Sequence, residues 1–272
     1  MVRSNISTVI NRSLVPVVNI VFLGLLLVAV TGQSQAAEWA SLKGRFVFDG
    51  EPPAPVEITA DKDVEVCGKH KLVNEELVVS DDKGIANVVL FVRSKGVTVH
   101  PDLEDGSKSD PLVLDNKDCR FQPHVGFVQT GQTLTIKNSD PVGHNSNIAT
   151  MKNSPSNSLV PSNGSSDVTF SRDEAIPASV TCNIHPWMKS YVVVLDHPFA
   201  AVSDENGDLT IKGLPAGEEL VFRVYHEAGG IKEVEIDGKS EEWSRSRFKV
   251  DVKPGMNDLG TVVIPEDALS AD

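Results

Sequence analysis

Hydrophobic positions in this chain come in short runs with a period of two, the pattern of half-buried strands, and no long helical period interrupts them. Thr133-Leu134-Thr135-Ile136 alternates in this way, after a strand-like Phe127-Val128 and a Thr130-Gly131-Gln132 turn. It stops at the turn cluster Lys137-Asn138-Ser139-Asp140-Pro141, and His144 follows on what reads as a loop. Val168 to Phe170 and Ala178 to Thr181 predict two further strands, with the polar stretch 151–166 read as a loop. Chain direction then reverses between Cys182 and the apolar run Tyr191 to Leu195. Upstream, Leu42 to Phe48 predicts a strand before the turn and linker Asp49 to Pro55, and Ile85 to Val92 is apolar enough to be a central strand. Downstream, Asn206-Gly207 gives a hairpin signal, and Leu214 to Glu218 turns into Leu220 to Val224. The predicted fold class is all-β, with more chain than one small sandwich requires.

The first 36 residues stand apart. Arg3 and Arg12 precede or interrupt a polar start, Leu14 to Val30 is mostly apolar, and the stretch to Ala36 ends in small residues. This is the make-up of a signal peptide cleaved after Ala36, which predicts a periplasmic or secreted protein. The apolar run lies at the lower edge of a spanning helix and is interrupted by Pro16 and Asn19, so an uncleaved N-terminal anchor is the alternative. Without residues 1–36 the chain carries 23 basic and 38 acidic side chains, a formal charge of −15. Such a surface argues against nucleic acid and anionic lipid, predicts no membrane insertion after cleavage, and suits solubility or steering of a cationic partner.

The most specific chemistry lies in Cys182-Asn-Ile-His185-Pro-Trp-Met188. A thiolate, an imidazole and a thioether fall within seven residues on a predicted strand-to-strand loop, a set of donors that suits copper. A trigonal site of that kind needs a second histidine, and His144 is placed to supply it. Taken singly, a cysteine or methionine is ordinary core filling and a loop histidine ordinary surface. Their joint spacing at strand ends is what carries the reading. His124 is read as a packed strand residue, His226-Glu227 as a turn, and His100 and His197 have no local support as ligands.

Residues 110–196 resemble a cupredoxin, the small Greek-key blue-copper sandwich, of the amicyanin or plastocyanin type. The resemblance rests on the C-x2-H-x2-M loop with Pro186 and Trp187 inside it, and on Asn145 directly after His144. It implies one type 1 copper ion held by His144, Cys182, His185 and Met188. Asn145 would support the sulfur by hydrogen bonding, and electrons would pass through an exposed edge of His185 in an apolar rim. It implies a one-electron carrier that docks transiently with a redox protein, not an enzyme. A multicopper oxidase would need His-x-His pairs, and a binuclear purple centre a second cysteine in the loop; neither occurs.

With Cys182 assigned to the metal, Cys67 and Cys119 remain to pair in an oxidising compartment, each ahead of a strand-like segment. A competing use of Cys67 with His70 as part of a second metal site supplies only two ligands. The flanks, 37–109 and 197–272, resemble a carboxypeptidase-regulatory, transthyretin-like sandwich through Asp204-x-x-Gly207-x-x-x-Ile211-x-x-Leu214-Pro-Ala-Gly217. They would form either one sandwich with the cupredoxin inserted between its strands, or separate consecutive pieces. The two arrangements differ in whether the segments around 42–48 and 209–212 share a sheet. A copper-binding or adhesive envelope protein without a redox role is the alternative function.

Overall fold

The computed structural model describes Met1, residues 38–106 and residues 109–269. The segment read as a signal peptide or anchor therefore lies, beyond Met1, outside the described residues. Among the described residues no helix is long and apolar enough to cross a membrane.

The described chain is almost entirely β, arranged as four sheets. The first contains β1 (Trp39–Asp49), β13 (Asp208–Pro215), β15 (Glu233–Ile236), β16 (Lys239–Glu242) and β18 (Gly255–Pro265), in the order β13-β1-β18-β15-β16. The second contains β2 (Val89–Val92), β12 (Ala200–Val202), β14 (Glu219–Tyr225) and β17 (Arg247–Asp251), in the order β12-β2-β14-β17. The third is β5-β11-β10-β7-β8, from β5 (Val125–Gln129), β7 (His144–Ala149), β8 (Ser156–Val160), β10 (Ala178–Thr181) and β11 (Lys189–Leu195). The fourth is β4-β3-β6-β9, from β3 (Leu112–Lys117), β4 (Arg120–Gln122), β6 (Thr133–Asn138) and β9 (Ser165–Thr169).

Three layers of apolar side chains hold these sheets together. Leu42, Phe46, Leu90, Val92, Ile211, Phe222 and Ile264 fill the space between the first and second sheets. Leu114, Leu134, Ile136, Ile148, Val180, Val192 and Val194 fill that between the third and fourth. Val89, Phe91, Val125, Val193 and Leu195 join the second sheet to the third. Residues alternate faces along a strand, so β2 sends Leu90 and Val92 into one core and Val89 and Phe91 into the next. That is why β2 and residues 191–195 of β11 are continuously apolar: each of these stretches is buried on two faces.

β1 pairs antiparallel with β13, with Leu42 opposite Ile211, and parallel with β18. The segments around 42–48 and 209–212 thus share a sheet, while the third and fourth sheets are built from chain lying between β2 and β12.

Several local expectations are corrected. Asn206-Gly207 does not close a hairpin, because β12 and β13 belong to different sheets and the turn carries the chain across the sandwich. Gly207 is required there: φ is +81°, and a Cβ would lie 2.1 Å from the Phe46 carbonyl oxygen. The stretch 151–166 is not a simple loop, since β8 pairs with β7 and β9 begins at Ser165. Hydrophobic alternation is weak in both strands because they lie at sheet edges. Cys67 precedes no strand; it ends the four-residue helix α1 (Val64–Cys67).

Candidate metal centre

β6 delivers the first part of the site. Leu134, Ile136 and Asn138 all face inward, so the alternation continues into a polar residue at the strand end. Buried Asn138 donates from Nδ2 to the carbonyls of Val142 (2.8 Å) and Val160 (2.9 Å), and accepts from the Asp140 amide at 3.0 Å. These bonds shape the turn that brings His144 to the first position of β7, where it is fully buried. His144 is thus a strand residue and not a loop residue. Cys182, His185 and Met188 lie on the tight connection from β10 to β11, an antiparallel pair closed by Cys182 N–H to Met188 O (3.2 Å) and Met188 N–H to His185 O (2.9 Å).

The two segments converge. One ring nitrogen of His144, one of His185 and the Cys182 sulfur lie within 4.8 Å of one another, and all three residues are buried. Cys182 Sγ is 3.7 Å from His185 Nδ1 and accepts from the His185 amide at 3.4 Å. Met188 is buried in the adjoining core, at 1% exposure. Asn145 Oδ1 sits 3.5 Å from the sulfur and accepts from the amides of Asn183 (2.8 Å) and Ile184 (3.3 Å). It ties the cysteine loop to β7, and its own Nδ2 is held by Asn157 at 2.8 Å.

Each imidazole has a carboxylate at its other nitrogen. His144 Nε2 is 2.9 Å from Asp140 Oδ2, and His185 Nε2 is 2.8 Å from Asp63 Oδ2. Asp140 also accepts from the amides of Asp118 (2.7 Å) and Cys119 (2.9 Å). Burial opposes charge on all three of His144, Cys182 and Asp140, but their mutual contacts outweigh it. The hydrogen bond to Asp140 and the nearby sulfur raise His144 to about 9. The nearby His144 imidazole and hydrogen bonds from the His185 ring and amide lower Cys182 to about 6. Asp140 is held below its usual value by His144 and the two amides.

This donor set fits a soft or borderline metal ion. Cys182 is in no disulfide among the described residues, and its lowered pKa favours the thiolate a metal needs. His144 Nδ1 is buried with no hydrogen-bond partner among the described residues, an orphan a metal would satisfy. The atoms of Cys119, Asp140 and His144 also approach within 4.8 Å, but the Cys119 sulfur is committed to Cys67.

One sequence expectation fails at the centre. The His185 edge is not exposed in an apolar rim; its side chain is 0% exposed. The segment 56–74 lies over it, with Ile58, Ala60, Val66, Cys67 and Leu72 packing on Cys119 and Trp187. The Cys67–Cys119 disulfide fastens that segment, with a Cα–Cα separation of 5.5 Å. Pairing of these cysteines removes any second metal site at Cys67 and His70; His70 Nδ1 instead lies 3.6 Å from Asp118 Oδ1. Trp187 stays half-buried, its ring 5.2 Å from that of His185 and its Nε1–H donating to Cys119 O at 3.0 Å.

The other histidines have structural partners. His124 lies in the turn before β5, not within a strand, between Glu227 and Glu75. His226 and Glu227 do form a turn, with His226 Nε2 near Ala86 O at 3.2 Å. His197 accepts from the Phe199 amide at 3.2 Å, and His100 caps a short 3-10 turn. Sequence reasoning missed both carboxylates. Asp140 carried a faint signal, four residues before His144, whereas Asp63 lies 122 positions from His185 and carried none.

No protein-family model matches the chain, and no curated protein matches it. Among solved structures, it is similar to the copper-containing nitrite reductase of Thermus scotoductus SA-01 (20% identity, TM-score 0.29), covering 31% of this chain and 22% of that one. It is similar to an oxidised amicyanin variant at 21% identity and TM-score 0.28, over 39% of this chain and 97% of that one. A purple cupredoxin from Nitrosopumilus maritimus aligns at 20% identity and TM-score 0.27, over 32% of this chain and 99% of that one.

Proposed function

We propose that this chain is an exported type 1 copper protein that carries one electron at a time, with His144, Cys182, His185 and Met188 as ligands. The observation that supports it best is the convergence of two imidazole nitrogens and a free cysteine sulfur in a buried pocket at the ends of packed strands. Copper bound there would supply exchange between the cuprous and cupric states. The chain's part is to keep the donors still. His144 is fixed by Asp140 and by its place at the start of β7; Cys182 and His185 are fixed by the short loop and by Asn145. Donors that do not move between oxidation states cost little reorganisation, and hydrogen bonds at the sulfur tune the potential. Met188 would be the fourth ligand, on its spacing in the loop and its burial beside the site. The buried pocket excludes water, and Pro186 with half-buried Trp187 offers a small apolar surface for a transient redox partner. The proposed role is that of a carrier, not an enzyme. The outer sandwich is read as a transthyretin-like scaffold.

Covering of His185 favours one rival, a copper-binding envelope protein without a redox role. A redox titration separates the two. The carrier reading predicts an intense visible band in the copper-loaded protein, bleached by one electron equivalent per chain and restored on reoxidation. A copper-loaded protein without that band, or one whose colour does not respond to reductant, contradicts it.

A further inference from the structure

The carboxylate over His185 comes from outside the sandwich that carries the ligands. Asp63 occupies the N-cap position of α1 with a left-handed backbone, φ 45° and ψ 42°, yet its side chain makes no capping bond. Its carbonyl takes the α1 amides of Val66 and Cys67, both at 2.8 Å, and its carboxylate turns to His185 Nε2. A left-handed conformation is tolerated by aspartate and asparagine but costs other side chains, so the geometry is one that a short polar residue sustains. The His185 ring is fully covered while the Asp63 side chain remains 42% exposed, which sets the carboxylate between the imidazole and water.

α1 is itself pinned. Cys67 ends it and is bonded to Cys119, whose amide binds Asp140, the partner of His144, and whose carbonyl accepts from Trp187. One disulfide thereby anchors the carboxylate on each histidine.

We infer that Asp63 is a positioning residue of the metal centre: delivered by the cap 56–74, it fixes the His185 ring with Nδ1 toward the Cys182 sulfur and closes the imidazole edge to solvent. A histidine whose far nitrogen donates to a carboxylate is locked in one tautomer and orientation, and becomes a better donor at the near nitrogen. A partner therefore meets exposed Pro186 and half-buried Trp187, not the imidazole. This rests on the copper reading above.

The test compares Asp63→Asn and Asp63→Ala with the wild-type protein. Asparagine keeps the size and tolerates the left-handed backbone, so it removes charge with little change of shape. Three readouts are taken: copper affinity by competition with a chelator, the His185 ring Nε2–H resonance by NMR in the metal-free protein, and the reduction potential of the copper-loaded protein. Expected is a loss of about 10- to 100-fold in affinity in both variants. The ring proton, protected in the wild type, should exchange rapidly in Asp63→Ala, and the reduction potential should rise in both. A purely structural role for Asp63 predicts lower thermal stability with affinity and ring proton unchanged. Wild-type protein that loads copper, with both variants folded and within about twofold of its affinity, overturns the inference alone. Wild-type protein that takes up no copper overturns the copper reading and this inference together.

Discussion

At the scale of single residues, the centre is a set of donors whose protonation the fold has adjusted. His144 keeps a proton up to about 9, and Cys182 loses its own by about 6. Between those values a metal arriving at the site meets a thiolate but must displace the proton on His144. Binding then releases one proton, and affinity should fall about tenfold per pH unit as pH drops from about 9 to about 6. Below about 6 the cysteine also holds a proton, and the slope should steepen further. Competition titrations across that range read the slope; a flat profile contradicts the assignment of either residue. His144, Cys182, His185 and Met188 were legible as a candidate set because three share one loop and the fourth follows a turn signal. Asp140 and Asp63 were not, because aspartate in a turn is usually there for the turn. Its contact with a histidine depends on chain folding that local pattern does not encode.

At the scale of elements, strands were easier to read than the connections between them. β6, β10 and β11 follow from alternation and apolar runs, and their ends place the candidate ligands. Asn206-Gly207 shows the limit: the dipeptide specifies a tight turn with a positive φ but not which sheets its flanking strands join. In sequence, the cap 56–74 is marked only by the proline-rich linker ahead of it. It has only a four-residue helix and one isolated bridge, Glu57 with Val73, and its order comes from a small apolar cluster and the disulfide. The disulfide spans 52 residues, so replacing both cysteines with serine should destabilise the protein by about 2–4 kcal/mol. Denaturant unfolding of the double variant measures this, and the His185 ring should become accessible to solvent. A variant as stable as the wild type, with His185 still protected, would show that the cap holds without its staple.

At the scale of the whole molecule, the sandwich of the third and fourth sheets does not stand alone. Val125, Val193 and Leu195 on its outer face pack against Val89 and Phe91 of the neighbouring sheet, so the second and third sheets are covered on both sides. The all-β class was plain from the sequence, and so was the central character of 85–92. That β1 pairs with β13 was one of two arrangements the flanking motif allowed, whereas its parallel pairing with β18, across more than 200 residues, left no local trace. The stack has a consequence for the candidate site: β11 carries the Cys182–Met188 loop at one end while its body is clamped between two cores, so the loop's base is rigid. The proposal is tested most directly by X-ray absorption at the copper edge on the full protein loaded with one equivalent, alongside Cys182→Ala. Two nitrogen scatterers and one short copper–sulfur distance in the wild type, with the short sulfur lost in the variant, is the predicted result. A wild-type spectrum without sulfur bound to copper, or one that Cys182→Ala leaves unchanged, would contradict it.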